Sequence, residues 1–333
     1  MKKQVLVSII IPVYKVENWI EGCLLSVCNQ TYENIECIIV NDATPDKSMD
    51  IVESILKNYT GSIRFKIITH ELNRGLSAAR NSGVKAATGD YLFFLDSDDK
   101  LYSADVVSIF EVYLQKYGNV DFLVGGFDLI GNTTSFKVPT LQEKVYNSKE
   151  DILISYLDCQ WYVMACGKMI SRSFFIEKNM WFGEGLLHED ELFSFRLAVF
   201  ASTMVIISEK VYSYYINECS ITGNKKYRNY LDYLSVILQN YNLIKENKII
   251  LNNRRVVNNY FISVLYGFVY HVVKNKKLNA QEQKKLIIKC KVLAKKMDLD
   301  IPRGIKSYIE YVLLNSPYYM LTIFLKIHVS IGC

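Results

Sequence analysis

Asp96-Ser97-Asp98-Asp99 follows directly on an apolar run, Tyr91-Leu92-Phe93-Phe94-Leu95. Five apolar residues bounded by Gly89-Asp90 and by charge predict a buried strand of a parallel sheet. Ligands of such sheets sit at the carboxyl ends of the strands, where this run delivers three carboxylates. Alternation along an extended backbone places Asp96 and Asp98 on the same side, so both can point at one cation. Hard oxygen donors suit Mg²⁺ or Mn²⁺, ions that commonly hold substrate phosphates as well. The same residues also fit a solvated acidic loop capping the next helix, so the reading depends on what accompanies them.

Three upstream segments fit the same chemistry. The first predicted strand ends Ile10-Ile11-Pro12-Val13-Tyr14, the second ends Val40-Asn41-Asp42-Ala43-Thr44-Pro45-Asp46, and the third leads into Asn73-Arg74-Gly75-Leu76-Ser77-Ala78-Ala79-Arg80-Asn81. Tyr14 offers a flat face for a base to stack on. Asp42, ionised, can accept the imide N–H of uracil, and Arg80 or Arg74 can balance charge near a nucleotide. Taken singly, Tyr14 also fits a packed turn aromatic, Asp42 a turn cap, and Arg80 a partner for a structural carboxylate. Further on, Glu189-Asp190 opens a predicted helix over 189–200, where the positive end of the macrodipole favours carboxylates. That pair reads either as N-terminal helix charge or as a proton acceptor. His188 precedes it and can orient an acceptor or the base, approach the metal, or be structural. Trp181 lies just before Gly183-Glu184-Gly185, placed to stack on a sugar or to pack in the core.

The elements that must position these residues alternate. Strands are expected at 5–13, 35–40, 65–69, 91–95 and 120–124, with helices between them, which implies a parallel, right-handed βαβ sheet covered on both faces. Later segments predict helices at 149–159 and 189–200 and strands at 164–171, 204–207 and 211–215. From about Tyr227 the pattern becomes helical, with candidates at 230–247, 256–273, 281–297 and 304–314. The expected division is a catalytic domain over 1–224 and a basic helical region over 225–333.

Composition narrows the function. The net charge of +5 conceals 20 Lys/Arg against 28 Asp/Glu before Lys225, and 19 against 6 from Lys225 onward. The acidic part suits a cation site and the basic part an anionic surface such as phospholipid headgroups. Lys274, Lys276, Lys277, Lys284, Lys285 and Lys289 lead a dense basic stretch, and Tyr308, Tyr311, Tyr318 and Tyr319 follow it among aliphatics. This reads as attachment to a membrane face or as a helical cap with a solvated basic side. No recognised nucleic-acid module frames the lysines. The eight cysteines form no CxxC pair, which disfavours zinc and fits a reduced, cytosolic chain. Lys2-Lys3 before Val5–Ile11 imitates a secretory leader but lacks a small-residue cleavage site. No uncharged apolar run of spanning length is expected, and Tyr311 to Leu325 is the nearest candidate, more interfacial than spanning.

The chain resembles an inverting glycosyltransferase of family 2, with the nucleotide-diphospho-sugar transferase fold known as GT-A, over roughly residues 5 to 220. The resemblance rests on SIIIPVY at 8–14, CIIVNDATPD at 37–46, NRGLSAARNSG at 73–83, GDYLFFLDSDD at 89–99 and EGLLHEDELF at 184–193. It implies a mostly parallel α/β sheet with a C-terminal helical extension, and transfer from a UDP-sugar to a saccharide or lipid-linked saccharide with Mn²⁺ or Mg²⁺. Pro12, Tyr14, Asp42, Arg80, Asp96 and Ser97 would bind the nucleotide, and Asp96 and Asp98 the metal. Asp99 would be an extra ligand or ribose contact, and Asp190 the base, with Glu189, His188 and Trp181 as further candidates. Asn41 stands where the family often has a second Asp. Tyr212, Tyr214 and Tyr215, with Ser220-Ile221-Thr222, end the resemblance. A nucleotidyltransferase would carry a Gly-rich basic loop after the first strand, a dehydrogenase a GxGxxG, and a non-catalytic scaffold would lack the acidic clusters. The implied setting is cytoplasmic, peripheral on the inner face of the membrane.

Overall fold

The computed structural model describes residues 4–131, 138–216, 226–247, 250–297 and 299–331, and the chain divides into two compact units, residues 1–218 and 219–333. The domain boundary expected at residues 224 and 225, and Ser220-Ile221-Thr222, lie outside the described residues.

The first unit opens with β1 (Val7–Val13), α1 (Ile20–Cys28), β2 (Ile35–Asn41), α2 (Ser48–Asn58), β3 (Arg64–Thr69), α3 (Leu76–Ala86) and β4 (Tyr91–Phe94). Every residue of β1 and of β4 is buried, as expected of β-branched and aromatic runs covered on both faces. The unit continues with β5 (Lys100–Leu101), α4 (Val106–Tyr117), β6 (Phe122–Ile130), β7 (Lys144–Tyr146), α5 (Lys149–Leu157), β8 (Lys168–Ser171), α6 (Arg172–Glu177), α7 (Glu189–Phe200) and β9 (Met204–Tyr215). Among the described residues nine strands form one sheet in the order β3-β2-β1-β4-β8-β6-β9-β5, with β7 paired to β9. β3, β2, β1 and β4 are mutually parallel.

Two expectations change here. Antiparallel β8 inserts between β4 and β6, so the fifth predicted strand runs parallel to β4 without touching it. The four residues of β8, Lys168-Met169-Ile170-Ser171, carry no signal of strand direction, so pattern alone could not show the strand expected at 164–171 running antiparallel between β4 and β6. The two strands expected at 204–207 and 211–215 are one strand, β9, and the register with β6 shifts around Gly126. That irregularity lets a single strand run through the polar Ser208-Glu209-Lys210.

Pro12 lies in a strand with neighbours on both sides, normally a poor place for a residue without an N–H. Ile10 O accepts from Leu95 N, so Ile10 faces β4, and the two-residue period turns Pro12 the same way. The β1–β4 ladder ends at Ile10 and Phe94, so no bond is lost at Pro12. Here the strand order reverses, with β2 and β3 on one side of β1 and β4 on the other, which is where open α/β sheets form a crevice. Helix α3 covers this point at close range. A Cβ on Gly83 would fall inside the Ile10 side chain. Gly83→Ala is expected to destabilise the unit by about 1–3 kcal/mol, read as a lower thermal midpoint.

The second unit contains α8 (Tyr227–Glu246), α9 (Ile250–Lys274), α10 (Ala280–Lys296), α11 (Ile305–Asn315) and α12 (Tyr318–Ile331). α8, α10, α11 and α12 all pack on α9. Within α9, Asn253–Lys274 is long and apolar enough to cross a membrane by length and composition, and residues 256–273 carry no Asp, Glu, Lys or Arg. This corrects the expectation that no such run exists. Phe261, Ile262, Leu265, Phe268, Val269 and Val272 are buried, as in the core helix of a bundle. The stretch Tyr311 to Leu325 is two helices, because Pro317 disfavours helical backbone at Ser316.

Candidate active site

The loops after β1, β2, β3 and β4 share one edge of the sheet. At the end of β1, Tyr14 is 39% exposed, with Lys15 Nζ 5.3 Å from its ring centre, so a face is available for stacking. Asp42, just past β2, is buried and already carries three donors. Arg74 N (2.8 Å) and His70 Nδ1 (2.7 Å) reach Oδ1, and Gly75 N (2.7 Å) reaches Oδ2. A carboxylate offers about four acceptor positions, so little is left for a base. Its evident work is to fix the 73–75 loop, where Gly75 (φ 88°) takes a left-handed conformation open to glycine. His70 is buried between Asp42 and Ser82 Oγ (2.9 Å), and Asp42 fixes its Nδ1 as the protonated nitrogen.

The Asp96–Asp99 turn is stapled by a residue whose role the sequence reading left open. Tyr212 Oη accepts from Asp96 N (3.2 Å) and donates to Asp99 Oδ2 (2.7 Å), and Tyr215 N donates to Asp99 Oδ1 (2.7 Å). Asp99 was expected as an extra metal ligand or ribose contact. Both its oxygens are instead committed to β9, and burial with the charges of Asp96 and Asp98 pushes its carboxyl up to about 8. Ser97 is buried. Asp98 is pushed up to about 6 by burial and by Asp96.

Arg80 organises the rest. From the middle of α3 its side chain, 1% exposed, reaches three carboxylates: Asp96 Oδ1 from Nη2 (2.8 Å), Asp190 Oδ1 from Nη1 (2.8 Å) and Glu189 Oε1 from Nη1 (3.3 Å). Its Cζ lies 5.1 Å from the Phe182 ring centre. Burial opposes the charge on Arg80, but Asp96, Asp190 and Glu189 outweigh it and raise its pKa. Expected to balance charge at the nucleotide, Arg80 joins the two acidic clusters directly. Asn81, next in sequence, exchanges two hydrogen bonds with the Phe182 backbone (2.9 and 3.0 Å), and Arg74 pairs with Glu184 (3.0 Å). One face of α3 therefore clamps the 182–184 segment that leads to Glu189 and Asp190.

Those two residues begin α7, as expected. Glu189 is raised to about 7 by burial and by Asp190, with Arg80 opposing. Asp190 is the more exposed, at 28% of its side chain against 14%. His188 takes a left-handed backbone (φ 70°), an uncommon conformation for a residue with a Cβ that sets the direction in which α7 starts. Phe182 stacks on Phe193 (4.3 Å between centres) and meets Phe94 edge-on (5.1 Å), so the segment leading to Glu189 and Asp190 rests on an aromatic floor. Trp181 packs edge-on to Phe175 (5.4 Å), with Lys85 over its ring, rather than among the carboxylates. Lys168, which the sequence did not single out, is fully buried, with its Nζ 4.3 Å from the Tyr162 ring centre and 5.5 Å from that of Trp161. Its Nζ donates to Tyr162 O (3.0 Å) and Met164 O, and burial lowers its pKa to about 7 against the pull of Asp190.

Among the described residues no group of three or more His, Cys, Asp or Glu is arranged to hold a metal ion. Asp96 and Asp98 still fit one by chemistry, since two carboxylates at a cleft, one of them raised by the charge of the other, are short of positive charge. An ion that completes its shell with water and phosphate needs only one or two such ligands.

The comparisons with known proteins agree on the family and the fold. The model of "Glycosyl transferase family 2" matches residues 8–179. The glycosyltransferase EpsJ of Bacillus subtilis, described as uncharacterized, is 35% identical over 231 residues, 65% of this chain, and the match spans 63% of EpsJ. Residues 1–349 of S. aureus TarS in complex with UDP superpose with a TM-score of 0.65 at 18% identity, covering 94% of this chain and 93% of that one. A mannosyltransferase from Pyrobaculum calidifontis, PcManGT, in complex with GDP-Man and Mn²⁺, gives 0.54 at 13% identity, covering 97% and 86%. The fold is GT-A. With that family's model matched over residues 8–179, more than half of the chain, the chain belongs to glycosyl transferase family 2 and is a glycosyltransferase.

Proposed function

We propose that this chain transfers a hexose or N-acetylhexosamine from a UDP-sugar to a glycan acceptor, with inversion at the anomeric carbon, in surface polysaccharide synthesis. The observation that carries this reading is the single buried guanidinium joining Asp96 to Asp190, which holds a donor-side and an acceptor-side carboxylate at fixed separation. UDP as the nucleotide is supported by the TarS complex, the nearer of the two superpositions described.

Tyr14 stacks on the uracil, while Pro12, Asp42 and Ser97 shape the nucleotide pocket. Asp190 Oδ1 is held by Arg80, and Oδ2 takes the proton of the acceptor hydroxyl. The acceptor hydroxyl oxygen, losing its proton to Oδ2, attacks the anomeric carbon from the face opposite the nucleotide. The new C–O bond forms as the bond to the phosphate oxygen breaks, and the electron pair leaves with UDP. A divalent cation held by Asp96 and Asp98 would neutralise charge on the departing diphosphate. The basic C-terminal helices support a cytoplasmic enzyme held peripherally at the inner membrane face, with a lipid-linked saccharide as acceptor and no nucleic-acid partner.

The test is UDP release from a panel of UDP-sugars, with Mn²⁺ and with chelator. Release is expected with one or two sugars only, falling at least about 100-fold on chelation. Equal turnover in chelator removes the metal role of Asp96 and Asp98. No turnover with any UDP-sugar, alongside turnover of a GDP-sugar, removes the uridine assignment.

A further inference from the structure

We infer that the second unit carries a lipid-binding surface, formed by the outer faces of α10, α11 and α12, whose occupant is the headgroup layer of an anionic bilayer. This deepens the reading of a peripheral enzyme and assigns it to particular residues. On α10 the exposed positions Lys284, Lys285, Ile288, Lys289, Val292 and Lys295 recur at helical spacing, so two apolar side chains stand in a row of lysines. On α11, Ile305 (84% exposed), Tyr308, Ile309 and Val312 follow the i, i+3, i+4, i+7 spacing of one helix stripe, and that stripe faces outward. On α12, Tyr319, Met320 and Ile323 are also exposed. An apolar stripe normally turns to a core, and each of these helices already buries another set: Leu286, Ile287 and Cys290 on α10, Leu314 on α11, Leu321 and Leu325 on α12.

The three helices adjoin. Lys291 Nζ donates to Leu314 O (2.8 Å) and to Ser316 O, and Lys284 Nζ lies 6.0 Å from the Tyr318 ring centre. α10 thus abuts the joint between α11 and α12.

Charge identifies the occupant. The described acids of this stretch are engaged within the unit. Glu282 closes the capping box with Asn279 at the start of α10, Asp300 takes the Arg254 guanidinium (2.7 Å), and buried Glu310 accepts from Ser263 (2.7 Å). Among the described residues no ion pair joins Lys284, Lys285, Lys289 or Lys295 to an acid. A symmetric pairing of two copies would set these lysines against themselves. Anionic headgroups pair with them while the stripes enter the acyl boundary. A cavity of about 150 Å³ has the same polarity, with an apolar wall from Ile262, Leu299 and Leu314 and polar lining from Lys295, Tyr311 and Asn315.

The full chain should co-sediment with phosphatidylcholine vesicles containing phosphatidylglycerol, weakly with phosphatidylcholine alone, and less as salt rises. Lys284→Gln with Lys285→Gln and Lys289→Gln is expected to weaken binding roughly 100-fold. Ile305→Ser with Ile309→Ser and Val312→Ser is expected to weaken it at least about 10-fold, and these exposed positions leave folding intact. Both triple variants should keep wild-type UDP-sugar turnover with a soluble acceptor, so vesicle binding and transferase activity are read independently. No vesicle binding by the wild type, or equal binding by wild type and both variants, overturns the inference. So does a concentration-dependent oligomer, measured by light scattering, that the apolar triple variant abolishes while vesicle binding persists.

Discussion

Asp190→Asn is expected to lower turnover by roughly 10²–10⁴-fold while leaving UDP-sugar affinity within a few-fold of wild type. The substitution is nearly isosteric, and an asparagine carbonyl can still accept from Arg80 Nη1, so the 2.8 Å contact that positions the group survives. The capacity to take a proton is removed, together with the one negative charge that Asp190 sets against Arg80. Single-turnover UDP release, with donor binding measured by calorimetry, separates the two effects. Glu189→Gln is the control. Burial and the charge of Asp190 raise the Glu189 carboxyl, which works against the charge a base needs. It is also the less exposed of the pair. Its neutral replacement should cost less than about 10-fold. The reverse ranking would move the base to Glu189, and full activity in Asp190→Asn would remove Asp190 from the chemistry.

Sequence made the first unit's left half legible because its signals are local. β1, β2 and β4 are apolar runs between breakers, and α7 was placed at its observed limits, 189–200, by the acidic turn that starts it. What stayed hidden depends on contacts between distant residues. Nothing near Tyr212 marks it as the staple of a turn 116 residues earlier. Lys168 reads as an ordinary surface lysine, yet β8 inserts beside β4 and buries it. The NRGLSAARN segment was read as nucleotide-facing from its place after a strand. Its helical period, once α3 is seen, puts Arg80 and Asn81 toward 182–190. Arg80 signals this role in one way that sequence could show, as a lone arginine among Ser, Ala, Asn and Gly, where a charged side chain has no local partner and must find distant ones. The α11 stripe was visible in sequence as periodicity, but whether it faced a core or solvent was not.

Arg80→Met should produce the largest loss of stability of any single change in the first unit. It leaves three carboxylates without their shared cation in a site where Arg80 itself is 1% exposed. Removing one partner of a buried ion pair costs about 3–5 kcal/mol, a fall in thermal midpoint of roughly 10 °C for a unit of this size. The effect has a pH sign. Glu189 in the folded protein is raised above its ordinary value with Arg80 present, and Arg80 opposes that rise, so its removal drives the folded value higher. A carboxyl whose folded pKa lies above its unfolded one destabilises the fold at high pH, and the penalty fades as pH falls and the group protonates. The deficit of Arg80→Met relative to wild type should therefore be greatest above pH 7 and shrink toward pH 5, as followed by denaturant midpoints across that range. Arg80→Lys divides charge from geometry. One ammonium cannot reproduce two nitrogens that reach Asp96 and Asp190 each at 2.8 Å, so this variant should recover much of the stability but little of the turnover. If Arg80→Lys restores turnover as well, the bridge contributes only charge, and the fixed spacing between donor-side and acceptor-side carboxylates is not what the reaction needs. If Arg80→Met is as stable as wild type at pH 8, the three carboxylates are compensated by something other than Arg80.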